Sequence, residues 1–392
     1  MSPASPIYLD YAATTPVDAR VAARMSECLA PEGVFGNAGS SHEYGDVAAG
    51  RIEAARAQVA AAIGASPAEI FWTSGATEAN NLALFGVANY YRSSGRHIVT
   101  VRTEHKAVLD PCRELERRGW RVTYLVPDGG GVLDPSQVSA ALRPDTVLVS
   151  VMHVNNEIGV VQPIAAIADV CARHGGARLH VDGAQSMGKA PLDFAATGID
   201  LLSLSAHKAY GPKGVGALAV AKHRDVHLEP LLYGGGQEHG LRAGTLATHQ
   251  LVGMGEAFEV VSTAAPAETG RVALLRDRLW RALGGIDGAL RNGNPAASVA
   301  HLLNVSFEGV EGESLLAAVR PFIAVSTGAA CSSASREPSY VLRALGRGDR
   351  LAESSLRFSL GRFTSTQDID SAAAVVTEAV RRLRQISGWG AG

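Results

Sequence analysis

The sequence predicts an α/β protein with a large domain on a mostly parallel seven-stranded sheet and a smaller α/β domain towards the C-terminus. Three observations carry this expectation. Between residues 70 and 220, short apolar runs alternate with stretches of helical periodicity, and strands alternating with helices wind into a parallel sheet. The run at 146–152, TVLVSVM, is apolar almost throughout, as a strand buried on both faces must be. Past Gly253 the pattern changes to longer helical stretches with fewer strands between them. A chain of 392 residues has room for two domains of ordinary size. We place the large domain at 16–260, and the small domain at 1–15 together with 261–392.

The elements follow in order. Residues 7–15, up to the proline of IYLDYAATTP, read as a short strand and a turn. Val17, Val21, Met25, Cys28 and Leu29 recur at the spacing of one helical face. The stretch 35–45, FGNAGSSHEYG, is a loop by composition, and 48–63 is an alanine-rich helix stopped by Gly64. Strands are predicted at 70–73, 97–101, 121–126, 146–152, 178–181, 199–205 and 216–220, with helices between them at 77–90, 106–118, 135–142 and 164–173. The glycine-rich stretch 231–249, LLYGGGQEHGLRAGTLATH, has little periodicity and reads as a long loop with a task of its own. The small domain is expected to hold helices at 271–283, 312–319, 340–345 and 369–383, and strands at 302–307, 323–326 and 356–359. In the last helix Ile369, Ala373, Val376, Val380 and Leu383 share a face, which therefore packs on something.

Formal net charge is −2, so no global field draws the chain to nucleic acid or to a membrane surface. No run of about 20 apolar residues is present to span a membrane. The opening MSPASPIYLDYAATTP has no basic segment ahead of an apolar core and is not read as a secretory signal. The cysteines are scattered without a C-x-x-C pair, which suits a reducing compartment and disfavours a disulfide framework or an intrinsic metal site. A cytoplasmic protein that binds neither nucleic acid nor membrane is the expectation.

Chemistry concentrates at the carboxyl ends of the predicted strands, where a parallel sheet holds its ligand. Thr77, His105, Asn156, Asp182, Gln185 and Lys208 each fall just past a strand. The stretch 201–216, LLSLSAHKAYGPKGVG, is the sharpest case. Lysine is a poor end for a buried strand unless it has work there, and apolar surroundings push an amine towards its neutral, nucleophilic form. Ser203, Ser205 and His207 alternate in strand register, so they share a face on which to meet an anion. A solvated lysine at a strand end has the same letters. The shared rim favours instead a lysine that forms a Schiff base with pyridoxal phosphate (PLP).

PLP needs a carboxylate against its pyridine nitrogen, so that the ring stays protonated and takes up electrons. Asp182 fits. It also needs a phosphate cradle. Ala76 and Thr77, where a strand turns into a helix, are candidates with Ser205 and His207. His105 is placed to lie flat on the ring and to move protons. Taken singly, Thr77 and Asp182 are also ordinary helix caps, and His105 an ordinary structural histidine.

Two further clusters stand apart. Cys331 lies in STGAACSSASREPSY, residues 326–340, among small and polar residues without an apolar period. It reads as an exposed thiol on a loop free to travel, or else as a surface cysteine of no consequence. Cys28, Cys112 and Cys171 fall on apolar helical faces and read as core. Arg357, in SSLRFSLGRF, sits in an apolar strand and needs an anion. A substrate carboxylate suits its fork, and so does a structural ion pair.

On the motifs YLDYAATTP, TSGATEANN, TEHKAVL, HVNNEIGVVQP, HVDGAQS, SLSAHKAYGPKGVG, RAGT, GAACSSASREPSYVL and LRFSLGRF, the chain resembles the cysteine desulfurases of the NifS/IscS kind from about Ile7 to Arg384. These are PLP-dependent transferases of fold type I in the class V aminotransferase group. The resemblance implies that Lys208 is the Schiff-base lysine, Asp182 faces the pyridine nitrogen and Gln185 bonds the phenolic oxygen. It implies that Ala76, Thr77, Ser205 and His207 hold the phosphate, and that Thr245 reaches the phosphate of a partner subunit. Asn156 and Arg357 would orient the substrate, Asn156 also touching the cofactor, and His105 would serve as acid and base. Cys331 would take sulfur from L-cysteine as a persulfide while L-alanine leaves. Implied partners are L-cysteine, a second copy in a homodimer, and an iron–sulfur scaffold or other sulfur acceptor. Cys331 is a candidate transient iron–sulfur ligand, with no intrinsic metal.

An aminotransferase on the same scaffold would have no use for Cys331 on its loop. A non-enzymatic docking subunit would have none for the set Lys208, Asp182 and Cys331. Two departures are visible: Ala206 stands where glycine is commoner, and Gly183-Ala184 replaces a more usual Ala-Thr pair. The chain closes at Gly392 without the longer tail by which some members dock their scaffold, which leaves scaffold docking less supported than the chemistry.

Overall fold

The computed structural model describes residues 5–327 and 337–389. Its seven-stranded sheet runs in the order Ile70–Thr73, Gly216–Val220, Leu201–Ser205, Arg178–Asp182, Thr146–Met152, His97–Val101, Arg121–Leu125. The last five of these are parallel to one another. Gly216–Val220 runs against both its neighbours, which brings Gly216 to the rim beside its register partners Ser205 and Thr73. A Cβ on Gly216 would stand 2.4 Å from the Leu204 carbonyl oxygen and 2.6 Å from Gly75 Cα, so only glycine lets these chains meet there.

The strands fall where the apolar runs predict them, with ends moved by a residue or two. The main departure is the helix Thr248–Leu283, which begins well before the predicted 271. Gly253 and Gly255 are contact points within it rather than breaks. A Cβ at 253 would lie 2.7 Å from Met25 Cγ, and one at 255 would lie 2.7 Å from Ala55 Cα. The glycines let this helix press closely on the helices Ala19–Ser26 and Glu43–Ile63. Short elements such as Phe194–Thr197, Ala289–Asn292 and Asp349–Glu353 escape the sequence reading because so few residues display no period.

Among the described residues, Ser355–Ser359, Leu302–Phe307 and Ala289–Asn292 form an antiparallel sheet, and Ile7–Tyr8 pairs in parallel with Ile323–Ala324. Two of the apolar cores bear on the division into domains. One packs Ile52, Trp72, Val149, Leu202 and Phe258 about the large sheet, and the other joins Leu9 to Leu279, Phe307, Phe358 and Val376. The long helix is a strut common to both, with Phe258 and Val261 in the first and Val272 to Leu283 in the second. The last helix, Thr366–Ser387, buries Ile369, Ala373, Val376 and Val380 as its periodicity predicts. No helix among the described residues is long and apolar enough to cross a membrane.

Candidate active site

The rim of the large sheet opens into a cavity of about 380 Å³. Ala76, Thr77, His105, Asn156, Asp182, Gln185, Ser205, His207 and Lys208 all line it. Thr245 and Arg357 do not, and Cys331 lies outside the described residues.

One end of the cavity is built for an anion. The strand Ile70–Thr73 ends, Ser74 and Gly75 turn the chain, and the helix Ala76–Tyr91 begins. Gly75 takes the N-cap position at φ 150° and no side chain caps the helix, so its first N–H groups are left for a ligand. Across from them Ser205 Oγ is buried without a hydrogen-bond partner. Such an orphan hydroxyl costs roughly 1–3 kcal/mol until something bonds it. A phosphate meets both needs.

The turn that carries Lys208 is clamped from the N-terminal segment. The Thr15 N–H and hydroxyl donate to the His207 carbonyl at 2.9 and 3.0 Å, and Thr15 Oγ1 accepts the Tyr210 N–H at 2.8 Å. Tyr210 sits at φ 61°, a left-handed conformation that a bulky residue keeps only under such restraint. His207 Nδ1 lies 3.2 Å from Thr14 Oγ1. Burial, then the charges of Lys208, Lys213 and Lys189, pull His207 down to about 4, so the ring is neutral. Ala206, the departure from glycine, is fully buried beside Gly211, where a further Cβ would come within 2.9 Å of its methyl.

Ser203 does not join the anion face. It lies one step below the rim, where its hydroxyl bonds His180 Nε2 at 3.0 Å, and His180 Nδ1 bonds Ser150 Oγ at 2.8 Å. Burial holds His180 neutral, down to about 4, and the three form a polar thread through adjoining strands beneath Asp182.

Asp182 is almost completely buried and accepts two hydrogen bonds, from Asn80 Nδ2 at 2.8 Å and from the Ala184 N–H at 2.9 Å. Asn80 is a site residue that sequence reasoning missed. Its spacing of three from Thr77, on one helical face, was the available signal. Glu104 lies next to His105 in the chain but not among the residues lining the cavity. It is wholly buried, its Oε1 accepts the Met152 N–H at 2.7 Å, and burial, with the Asp182 charge as a lesser cause, pushes its carboxyl well above the usual range.

His105 caps the helix Lys106–Arg117, with Nδ1 accepting the Ala107 N–H at 3.1 Å. A backbone N–H only donates, so Nδ1 carries no proton and the neutral ring bears it on Nε2. Burial, and next the Lys208 charge, lower the histidine and favour that neutral form.

Arg357 has found the structural anion. Its Nη2 meets Asp10 Oδ1 at 2.7 Å and its Nη1 donates to the Asn156 carbonyl at 2.8 Å, while Nε is buried without a partner. The flanks of the Cys331 segment attach at the same place. Ser326 exchanges backbone bonds with Arg357 and donates its hydroxyl to Asp10 Oδ2 at 2.8 Å. On the other side Ser339 donates to Glu157 Oε2 at 2.5 Å, and the Tyr340 hydroxyl donates to the Glu104 carbonyl at 2.7 Å. The second flank is therefore tied directly to the loop that places Asn156 in the cavity wall, and the first is tied to it through Arg357, which holds the Asn156 carbonyl. Cys28, Cys112 and Cys171 are free and buried as their helical faces predict. Burial pushes the Cys171 thiol up to about 12 and Cys112 higher still, far from the reactive thiolate.

A lysine and a carboxylate at the rim of this sheet, beside an anion seat, define an enzyme of the class V aminotransferase kind, and the family pattern described as aminotransferase class-V matches residues 7–371. The cysteine desulfurase IscS of Ectopseudomonas mendocina is 57% identical over 383 residues, 97% of this chain and 94% of that protein. Its counterpart in Pectobacterium atrosepticum is 54% identical over the same shares. Among solved structures, a NifS-like protein superposes with a TM-score of 0.90 at 34% identity, covering 96% of this chain and 100% of that one. SspA in complex with cysteine gives a TM-score of 0.81 at 38% identity, covering 92% and 100%. The chain belongs to the class V aminotransferases and, within them, to the cysteine desulfurases.

Proposed function

We propose that the protein takes sulfur from L-cysteine with PLP held at this rim, giving L-alanine and a persulfide on Cys331. One observation carries the reading: Lys208, Asp182, His105 and the Ser205–His207 seat share a cavity, and the flanks of the Cys331 segment attach beside it, Ser339 on Glu157 and Ser326 on Asp10, which with Asn156 is held by Arg357. Bound there, PLP supplies an aldehyde carbon for amines and a ring that takes up the electrons of the Cα–H bond.

Lys208 would hold the cofactor, and its Nζ would receive the Cα proton. Asp182 presents an anion to the ring nitrogen, with its plane set by Asn80 and the Ala184 N–H. Gln185 meets the phenolic oxygen. Ala76, Thr77, Ser205 and His207 hold the phosphate, and Thr245, exposed in this chain, reaches the phosphate of a second copy in a homodimer. His105 would lie against the ring and would exchange protons at Nε2, because Nδ1 is engaged by Ala107. Asn156 and Arg357 orient the substrate, Asn156 from the cavity wall and Arg357 through the Asn156 carbonyl that its Nη1 holds.

Cys331, as thiolate, attacks the substrate sulfur. An S–S bond forms while the Cβ–S bond breaks, and the electron pair left on carbon is protonated on the way to L-alanine. The persulfide then passes to an iron–sulfur scaffold or another sulfur acceptor. The two cores support domains at 16–260 and at 1–15 with 261–392, the boundary falling inside the long helix. Free thiols at the three described cysteines support a cytoplasmic location. The test is incubation of the PLP-loaded protein with L-cysteine and a thiol. Alanine and sulfide in equal amounts are expected, and pyruvate with a keto-acid requirement would overturn the reading in favour of amino transfer.

A further inference from the structure

We propose that Lys189 is a positioning residue for the cofactor's phenolic oxygen, holding the Gln185 amide so that its N–H side faces the cavity. The inference rests on the reading that PLP binds with that oxygen against Gln185.

Lys189 Nζ donates to Gln185 Oε1 at 2.6 Å, and Gln185 Nε2 donates to the Ala12 carbonyl at 2.7 Å. An amine opposite Oε1 and a carbonyl opposite Nε2 assign the amide the same way, each independently of the other. One N–H of Nε2 serves Ala12, which leaves the second for the cavity that Gln185 lines. Without Lys189 the amide can pivot on its Ala12 bond and swing Oε1, an acceptor, towards an oxygen that needs a donor.

The lysine is an expensive way to fill space. Its stem is partly exposed but its amine is enclosed, with Lys208 and Arg357 as cationic neighbours. No carboxylate among the described residues pairs with it; its bonded partner is Gln185. Burial, then those two charges, pull the amine down to about 7. A methionine would pack there without that penalty. The hold on Oε1 does not depend on charge, because Nζ keeps at least two N–H donors in either protonation state.

The experiment is a double-mutant cycle of wild type, Lys189→Met, Gln185→Leu and the pair, each stripped and reloaded with PLP. The readouts are PLP affinity and the ratio of the cofactor's long- to short-wavelength absorption bands, with Tm as a control. Lys189→Met is expected to weaken PLP roughly five- to tenfold and to shift the band ratio, as loss of one oriented hydrogen bond would. Both effects are expected to vanish in the Gln185→Leu background. Unchanged affinity and bands in Lys189→Met, or a change of the same size without Gln185, overturns the proposal. If Lys189→Met does not accumulate, Lys189→Gln, which keeps an N–H donor on a shorter stem, goes through the same cycle. A smaller shift that depends on Gln185 supports the proposal, and one that persists without Gln185 overturns it. Wild type that takes up no PLP overturns the reading of the cavity itself, a failure distinct from that of Lys189.

Discussion

Asp182→Asn separates charge from shape at the centre of the site. The carboxylate accepts from both Asn80 Nδ2 and the Ala184 N–H. An amide has one oxygen, so one of these donors would face an NH2 group. Left unrelieved, that clash costs roughly 1–3 kcal/mol. Asn80 relieves it, since its Oδ1 is buried without a partner and a half-turn of its amide presents that oxygen to the new NH2. The substituted amide keeps its own oxygen on Ala184, and the fold is expected to lose less than about 1 kcal/mol. Nothing restores the lost charge. A neutral amide cannot hold the pyridine nitrogen protonated, and a fall in turnover of at least about a hundredfold is expected, near 2.7 kcal/mol of barrier. The assay follows alanine formation at saturating L-cysteine, with PLP content and Tm measured on the same sample. Turnover within about tenfold of wild type at full PLP content would remove Asp182 from the ring nitrogen. A collapse of Tm would show that Asn80 does not turn.

Three further outcomes are expected. Lys208→Ala keeps the fold and gives no borohydride-reducible adduct with PLP; a surviving adduct would move the assignment to Lys213, which lines the same cavity. Cys331→Ser binds PLP and L-cysteine but forms alanine only at background, since serine is a hard and poorly ionised nucleophile. In the wild type the mass of one sulfur belongs on the Cys331 peptide, and finding it on Cys28, Cys112 or Cys171 refutes the mechanism. Glu157→Gln changes the pH dependence of stability. Burial raises Glu157 to about 7, above the value near 4.3 of an unfolded chain, so the folded state binds its proton more tightly. That contribution is complete below about pH 4 and is lost as pH rises through about 7. Glutamine has no proton to lose, so the variant gains on wild type across this window by up to roughly 4 kcal/mol. Denaturant unfolding at both ends of the window checks this, and a constant difference refutes it.

Much of the fold and of the site is legible along the chain because it is written locally. An apolar run such as Thr146–Met152 declares a buried strand within its own length. Lys208, Asp182 and His105 declare themselves by standing just past such runs, where helix starts and strand ends leave polar groups facing a ligand. Motifs carried the same information as far as Cys331, which lies outside the described residues.

Tertiary structure decided which polar groups meet. Ser203 and Ser205 are indistinguishable by register, yet only the deeper one finds His180 on the adjoining strand, leaving Ser205 unpartnered for a ligand. Asn80 reaches Asp182 across 102 residues, and Arg357 reaches Asp10 across 347, nearly the whole chain. The change of pattern past Gly253 is not the start of a new helix, because Met25 presses on that glycine and the helix Thr248–Leu283 runs through it. Periodicity records only whether a residue faces a core or solvent. A hydrogen bond or a close contact depends on the winding that brings two distant segments within about 3 Å, and that is a property of the pair rather than of either stretch.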